Sequence, residues 1–134
     1  MAETLKFELV SPAKRLADAE ATAVSIPALE GDMTAMPRHA PFLASLRPGV
    51  ISVDAETGTE RFVVTGGFVE ILPDSVGVIA EDAAEADVVD SDWIAVRIEA
   101  AEKALDGMED TDDRFQSTQQ LLADLRLLPG LLNL

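Results

Sequence analysis

The chain has no cysteine and no tyrosine, and only one histidine, one tryptophan and five phenylalanines. Without cysteine there is no disulfide framework, no thiolate nucleophile and no Cys-ligated zinc. With so few aromatics, a core has to be built from Val, Ile, Leu and Ala. Positive charge is scarce too: 10 Lys and Arg stand against 25 Asp and Glu, a formal net charge of −15. Such a field repels phosphate backbones and anionic headgroups, which argues against nucleic acid and direct lipid binding. Long apolar runs are also missing. The longest are a handful of residues, well short of the roughly 20 that span a bilayer. The N-terminal MAETLKF carries an acid at Glu3 and no basic start before an apolar run, so no secretory signal is expected. These absences together predict a soluble, cytosolic protein.

What is present divides in two. The length of 134 residues and an apolar fraction of 48% suit one ordinary domain, or a small domain with an appendage. From Thr4 to Ala80 short apolar runs of period two are broken by turn residues. Leu5, Phe7 and Leu9 alternate with Lys6 and Glu8, the pattern of a half-buried strand. A second strand is expected from about Arg15 to Ala23, with Val24-Ser25-Ile26 leading to Pro27. Val50 to Val53, Arg61 to Val64, Phe68 to Leu72 and Val76 to Ala80 follow, separated by Asp54–Gly58, Gly66-Gly67 and Pro73-Asp74-Ser75. Many short strands with no helix between them predict an all-β sandwich or barrel.

At Glu81 the composition changes. Residues 81–92 carry six acids in twelve positions and no base, which reads as a solvated linker. Beyond it the period is helical. Ile94, Ile98, Ala101, Leu105 and Met108 form one apolar stripe, with Asp90 or Ser91 as the cap. An acidic break at Glu109–Asp113 precedes a second stripe, Phe115, Thr118, Leu122, Leu125 and Leu128, which ends at Pro129-Gly130. The expected fold is therefore an N-terminal all-β sandwich or barrel over residues 1–86, followed by a C-terminal antiparallel two-helix hairpin over residues 87–134. Trp93, Leu121 and Leu127 fall off the two stripes and call for a further surface, so the hairpin is expected to dock.

No residue set looks catalytic. His39 is the sole imidazole and lies between Arg38 and Ala40, flanked by prolines, with no Gly-x-Ser-x-Gly in the chain. Thr65-Gly66-Gly67-Phe68 lacks the Gly-Lys-Ser/Thr and the helix of a phosphate loop, and reads better as a bend in a strand. Asp110–Asp113 lacks the central glycine and terminal glutamate of a calcium loop. No cofactor-binding or metal-ligating set emerges. The segment from Glu30 to Val50 is different. It combines Met33, Met36, Phe42, Leu43 and Leu46 with Pro37, Pro41 and Pro48. It is too apolar for a free loop and too rich in proline for a single helix or central strand. Composition leaves two uses open for these side chains: recognising a partner protein, or folding back into their own core.

Taken in order, five pieces resemble the epsilon-subunit family of the F-type ATP synthase, whose mitochondrial counterpart is the delta subunit. They are Val10-Ser11-Pro12, Pro27-Ala28-Leu29-Glu30-Gly31-Asp32, Pro37-Arg38-His39-Ala40-Pro41-Phe42-Leu43, Arg47-Pro48-Gly49 and Gly66-Gly67-Phe68. Arg38 stands where the family usually has Gly, and Arg47 where it has Lys. The resemblance implies a flattened β sandwich and a helical hairpin. It also implies a non-catalytic rotor subunit of the central stalk that grips gamma and rests on the polar loops of the c-ring. Glu30, Gly31 and Asp32 match the ring-facing turn. Met36, Pro37, Arg38, His39, Ala40, Pro41, Phe42 and Leu43 match the loop facing gamma and the ring. Localisation would be peripheral, on the cytoplasmic face of the bacterial inner membrane within the synthase.

In many relatives the hairpin also restrains ATP hydrolysis, through basic side chains of its second helix that reach the alpha and beta catalytic subunits. A regulatory subunit is thus the alternative reading, and Arg114 and Arg126 would be its contacts. Between residues 111 and 128 these two arginines face Asp112, Asp113 and Asp124, a net acidic helix poorly suited to that pairing. Some relatives bind ATP through an Ile/Leu-Asp-x-x-Arg-Ala motif. Here Ser91-Asp92-Trp93-Ile94-Ala95-Val96 puts Ala95 at the arginine position. No tight ATP site and little self-inhibition are expected.

Overall fold

A computed structural model describes residues 3–134, so the reading of Met1 and Ala2 lies outside it. The described chain forms two compact units, one up to Asp87 and one from Val88. The first consists of β1 (Leu5–Val10), β2 (Arg15–Ala21), β3 (Ala23–Ala28), β4 (Gly31–Ala35), β5 (Phe42–Leu46), β6 (Gly49–Ala55), β7 (Gly58–Val64), β8 (Gly67–Leu72), β9 (Ser75–Ala80) and β10 (Ala83–Glu85). Their order in the sheet is β10-β7-β6-β3-β5-β8-β9-β1-β2, and β4 pairs with β3 off this path. All pairings are antiparallel except β1 with β9. The sheet curls into a nearly closed sandwich, as the alternation of residues 4–80 predicts.

Its inward residues are the aliphatic set expected of a chain poor in aromatics. Leu5, Phe7, Leu9, Val24, Ile26, Ile51, Phe62, Val69, Ile71, Val76 and Val78 are buried together. Burial of each large side chain contributes roughly 1.5–3 kcal/mol. Phe7 and Phe62 stack with ring centroids 6.2 Å apart, which joins β1 to β7 across the interior. The Gly66-Gly67-Phe68 piece has a steric cause. Gly67 sits at φ +129, and a Cβ there would fall 2.1 Å from the Ile79 carbonyl oxygen. Only glycine lets β8 approach β9 this closely.

Four expectations are corrected. The 15–23 strand is two: β2 ends at Ala21, and Thr22 turns the chain by donating its N–H and hydroxyl to the Asp54 carbonyl. β3 then runs through Pro27 to Ala28, with the Pro27 carbonyl accepting from the Arg47 N–H at 3.0 Å. The proline-rich segment 30–50 holds two short strands, β4 and β5. It can do so because Pro37, Pro41 and Pro48 all fall outside the ladders, where no N–H is needed. The acidic linker is partly structured. Ala83, Ala84 and Glu85 pair with Val64, Val63 and Phe62, a short charged edge strand, because backbone pairing with β7 outweighs the acidic composition.

The second unit contains α1 (Ser91–Asp106) and α2 (Phe115–Leu131). Asp90 is the N-cap, its carboxylate accepting from the Trp93 N–H at 2.8 Å. The buried apolar positions, Ile94 and Ala101 on α1 and Leu122, Leu125 and Leu128 on α2, belong to the two predicted stripes. The fourth correction is at the end of α2, which passes through Pro129-Gly130 to Leu131. Proline's fixed φ is helical, and this close to the terminus it forfeits one backbone bond. In α1, Arg97 lies 3.4 Å over the Trp93 ring, so the off-stripe tryptophan has a cationic cover within its own helix.

Candidate functional site

The sequence-predicted residues Glu30, Gly31 and Asp32 lie at the β3–β4 turn. Pro41, Phe42 and Leu43 lie where the next connection enters β5. A groove of about 450 Å³ brings both ends together, lined by Leu29, Glu30, Gly31, Asp32, Met33, Phe42 and Leu43 among others. Apolar side chains stand exposed on its rim: Leu29, Phe42 and Leu43. The Leu29 N–H donates to the Ser45 carbonyl at 2.8 Å, which fixes the turn beside β5.

Met36 to His39 form a tight turn of a defined kind. The His39 N–H donates to the Met36 carbonyl at 3.1 Å, Pro37 occupies the second position, and Arg38 the third at φ +69. This is the type II geometry, which prefers Pro and then Gly. A glycine at position 38 would be unstrained. In this chain an arginine holds that conformation. Its N–H reaches the Pro73 carbonyl at 2.6 Å and its guanidinium pairs with Glu3. His39 places Nδ1 2.7 Å from the Ala40 carbonyl oxygen, which spends one ring nitrogen on the loop itself. Met36, Arg38, Ala40 and Pro41 are exposed, with Pro37 and His39 half-buried.

Sequence reasoning missed a surface next to this loop. Cross-strand partners place Ser45, Phe68, Ile79 and Val10 in one row over β5, β8, β9 and β1, with Leu43, Glu70, Gly77 and Glu8 in the next. These rows face outward, because the alternate residues Val69, Ile71, Val76 and Val78 fill the core. Leu43 is 69% exposed, Ile79 64% and Phe68 57%. Three large apolar side chains thus stand exposed on one sheet face, continuous with the 36–43 segment.

In the second unit both candidate inhibitory arginines are engaged within the hairpin. Arg114 holds Asp112 through two side-chain bonds of 3.1 and 3.2 Å and one from its backbone N–H at 2.8 Å. The Arg114 side chain, followed by its N–H, keeps the Asp112 carboxyl below the usual carboxylate range. Arg126 reaches Glu102 on the other helix at 3.5 Å. Asp124 is buried, an unexpected place for an acid, and accepts from Gln120 Nε2 at 3.0 Å. Among the described residues no cluster of His, Asp and Glu fit to hold a metal occurs. Among the described residues, too, no helix is long and apolar enough to cross a membrane.

Residues 4–86 match the family model described as "ATP synthase, Delta/Epsilon chain, beta-sandwich domain". An ATP synthase epsilon chain of Sinorhizobium medicae is 46% identical over 129 residues, covering 96% of this chain and 95% of that protein. Among solved structures, one of the Euglena gracilis mitochondrial ATP synthase (OSCP/F1/c-ring) is similar with a TM-score of 0.68 at 20% identity. It covers 92% of this chain and 78% of the matched one. A Tetrahymena thermophila mitochondrial ATP synthase central stalk/c-ring structure follows with 0.64 at 17%, covering 92% and 95%. The β sandwich with its Gly66-Gly67-Phe68 constraint, the type II turn at Pro37-Arg38 and the near full-length identity agree: the chain belongs to the ATP synthase epsilon-chain family.

Proposed function

We propose that this chain is a non-catalytic rotor subunit of the central stalk, linking gamma to the c-ring and coupling proton-driven rotation to ATP synthesis. It would sit peripherally on the cytoplasmic face of the bacterial inner membrane as part of the synthase. The observation that carries this reading is the pair of adjoining surfaces on one β unit. The exposed apolar rows of Leu43, Phe68 and Ile79 suit a permanent protein contact, assigned here to gamma. The polar turn at Glu30, Gly31 and Asp32 suits the polar loops of the ring, and Met36 to Leu43 lies between them. A mechanical linker needs rigid, mutually fixed surfaces rather than a reactive centre. The sandwich supplies that rigidity, and the backbone of the 36–43 segment is stiffened by proline.

The inhibitory alternative has less support. In the folded hairpin Arg114 and Arg126 are occupied by Asp112 and Glu102, so reaching a catalytic subunit would first require breaking both pairs. The absence of native cysteine makes the interface reading easy to test. A single cysteine at Ile79 should cross-link to gamma in the assembled complex, and one at Glu30 to a c-ring loop. Cross-links from neither position would refute the assignment.

A further inference from the structure

Arg47 is the most buried-in of the cations near the candidate ring-facing turn, with its side chain 28% exposed. Its Nη1 donates to the Ala28 carbonyl, the last residue of β3, and its Nη2 to the Asp32 carboxylate, near the start of β4. One guanidinium therefore ties together both sides of the turn that carries Leu29, Glu30 and Gly31. The backbone brings it there. The Arg47 N–H bonds the Pro27 carbonyl, Pro48 is buried, and a Cβ on Gly49 would fall 2.7 Å from Pro27 Cβ. Arg47-Pro48-Gly49 is thus folded down onto Pro27-Ala28, with glycine allowing the close approach.

We propose that Arg47 is a positioning residue that sets the conformation of the Glu30-Gly31 turn for its partner, with the solvent-exposed Asp32 carboxylate as its ion-pair partner. This rests on the reading of that turn as the ring contact. The planar fork matters: two acceptors on opposite sides of a turn need two divergent N–H groups, whereas a lysine ammonium is a single point. Asp32 is paired within the clamp, although its side chain remains 80% exposed. Among the described residues the Glu30 carboxylate has no cationic partner, so it is the charge the turn presents outward. A turn held in one geometry docks on its partner with little ordering entropy lost on assembly, and transmits torque without yielding.

The test uses the assembled synthase in lipid vesicles, with ATP-driven proton pumping measured per ATP hydrolysed, beside amide hydrogen exchange and thermal melting of the full chain. Arg47→Ala and Asp32→Asn should each speed exchange at Leu29, Glu30 and Gly31 about fivefold, the equivalent of ~1 kcal/mol. Both should reduce coupling about twofold, and the double variant no further, since both act through one clamp. Arg47→Lys should recover part of the coupling. A Tm loss in Arg47→Ala with coupling and local exchange intact would overturn the proposal and leave Arg47 a purely structural residue. Glu30 and Asp32 both replaced by Ala without loss of coupling would overturn the ring reading itself, and the proposal with it.

Discussion

Replacing Arg38 is the sharpest probe of the 36–43 loop, because its backbone and its side chain pull in opposite directions. At φ +69 a residue with a Cβ is strained by about 1–2 kcal/mol relative to glycine. Arg38→Gly removes that strain, but glycine adds roughly 0.4–1 kcal/mol of unfolded-chain entropy. It also deletes the exposed Glu3 pair, which is worth at most about 1 kcal/mol. The net change in stability is therefore near zero. Arg38→Ala deletes the same pair and keeps the strain, so comparing the two variants cancels the ion pair. Glycine should be more stable than alanine by about 0.5–1 kcal/mol, or ~2–6 °C in Tm for a unit of this size. Urea unfolding and thermal melting of the full chain read this difference. Alanine equal to or more stable than glycine would refute the type II assignment. In the synthase, loss of coupling in the glycine variant despite its retained stability would identify the guanidinium as a partner contact.

Three other outcomes follow from the geometry. Gly67→Ala should cost at least about 3 kcal/mol, since the new methyl meets the Ile79 carbonyl at 2.1 Å; a urea series showing under ~1 kcal/mol would contradict the strand spacing. Phe68→Ser and Ile79→Ser should leave the stability of the isolated chain within ~1 kcal/mol while weakening its capture by gamma, because both side chains already face solvent. Capture unchanged by either would remove the apolar face from the interface. The Asp112 carboxyl, held below its ordinary value by Arg114, stabilises the folded hairpin above the usual carboxylate range, and that contribution disappears as pH falls through the lowered folded value. Arg114→Ala should raise the Asp112 midpoint in an NMR titration; no movement would mean the pair is absent in solution.

Most strands of residues 4–80 and both helices were legible because their apolar residues recur with a clear period, whereas β4 and β5 in the proline-rich segment were not. The linker misreading at Ala83–Glu85 has a simple cause: strand pairing is a backbone contact with Phe62–Val64, invisible in a composition of acids and alanines. Phe68 and Ile79 were missed for the opposite reason. In Phe68-Val69-Glu70-Ile71 and Val78-Ile79-Ala80 apolar residues occupy both faces, so alternation cannot say which side is the core. The Pro37-Arg38 turn was half legible. Proline at its second position is a turn signal, but the arginine hides the positive φ that a glycine would have advertised. The Arg47–Asp32 clamp joins residues fifteen apart across the β3–β4 hairpin, a contact that depends on tertiary folding and leaves no local sequence signal. Asp124, which the sequence shows only as one of the acids of a net acidic helix, has no signal for its burial.

The central claim is that the β unit alone couples the rotor, with the hairpin dispensable. ATP-driven proton pumping should be compared in vesicles holding the synthase assembled with the full chain, with residues 1–88, or with no such subunit. Residues 1–88 should restore pumping and leave hydrolysis at the full-chain rate. Pumping restored only by the full chain, or a marked rise in hydrolysis on truncation, would contradict the claim.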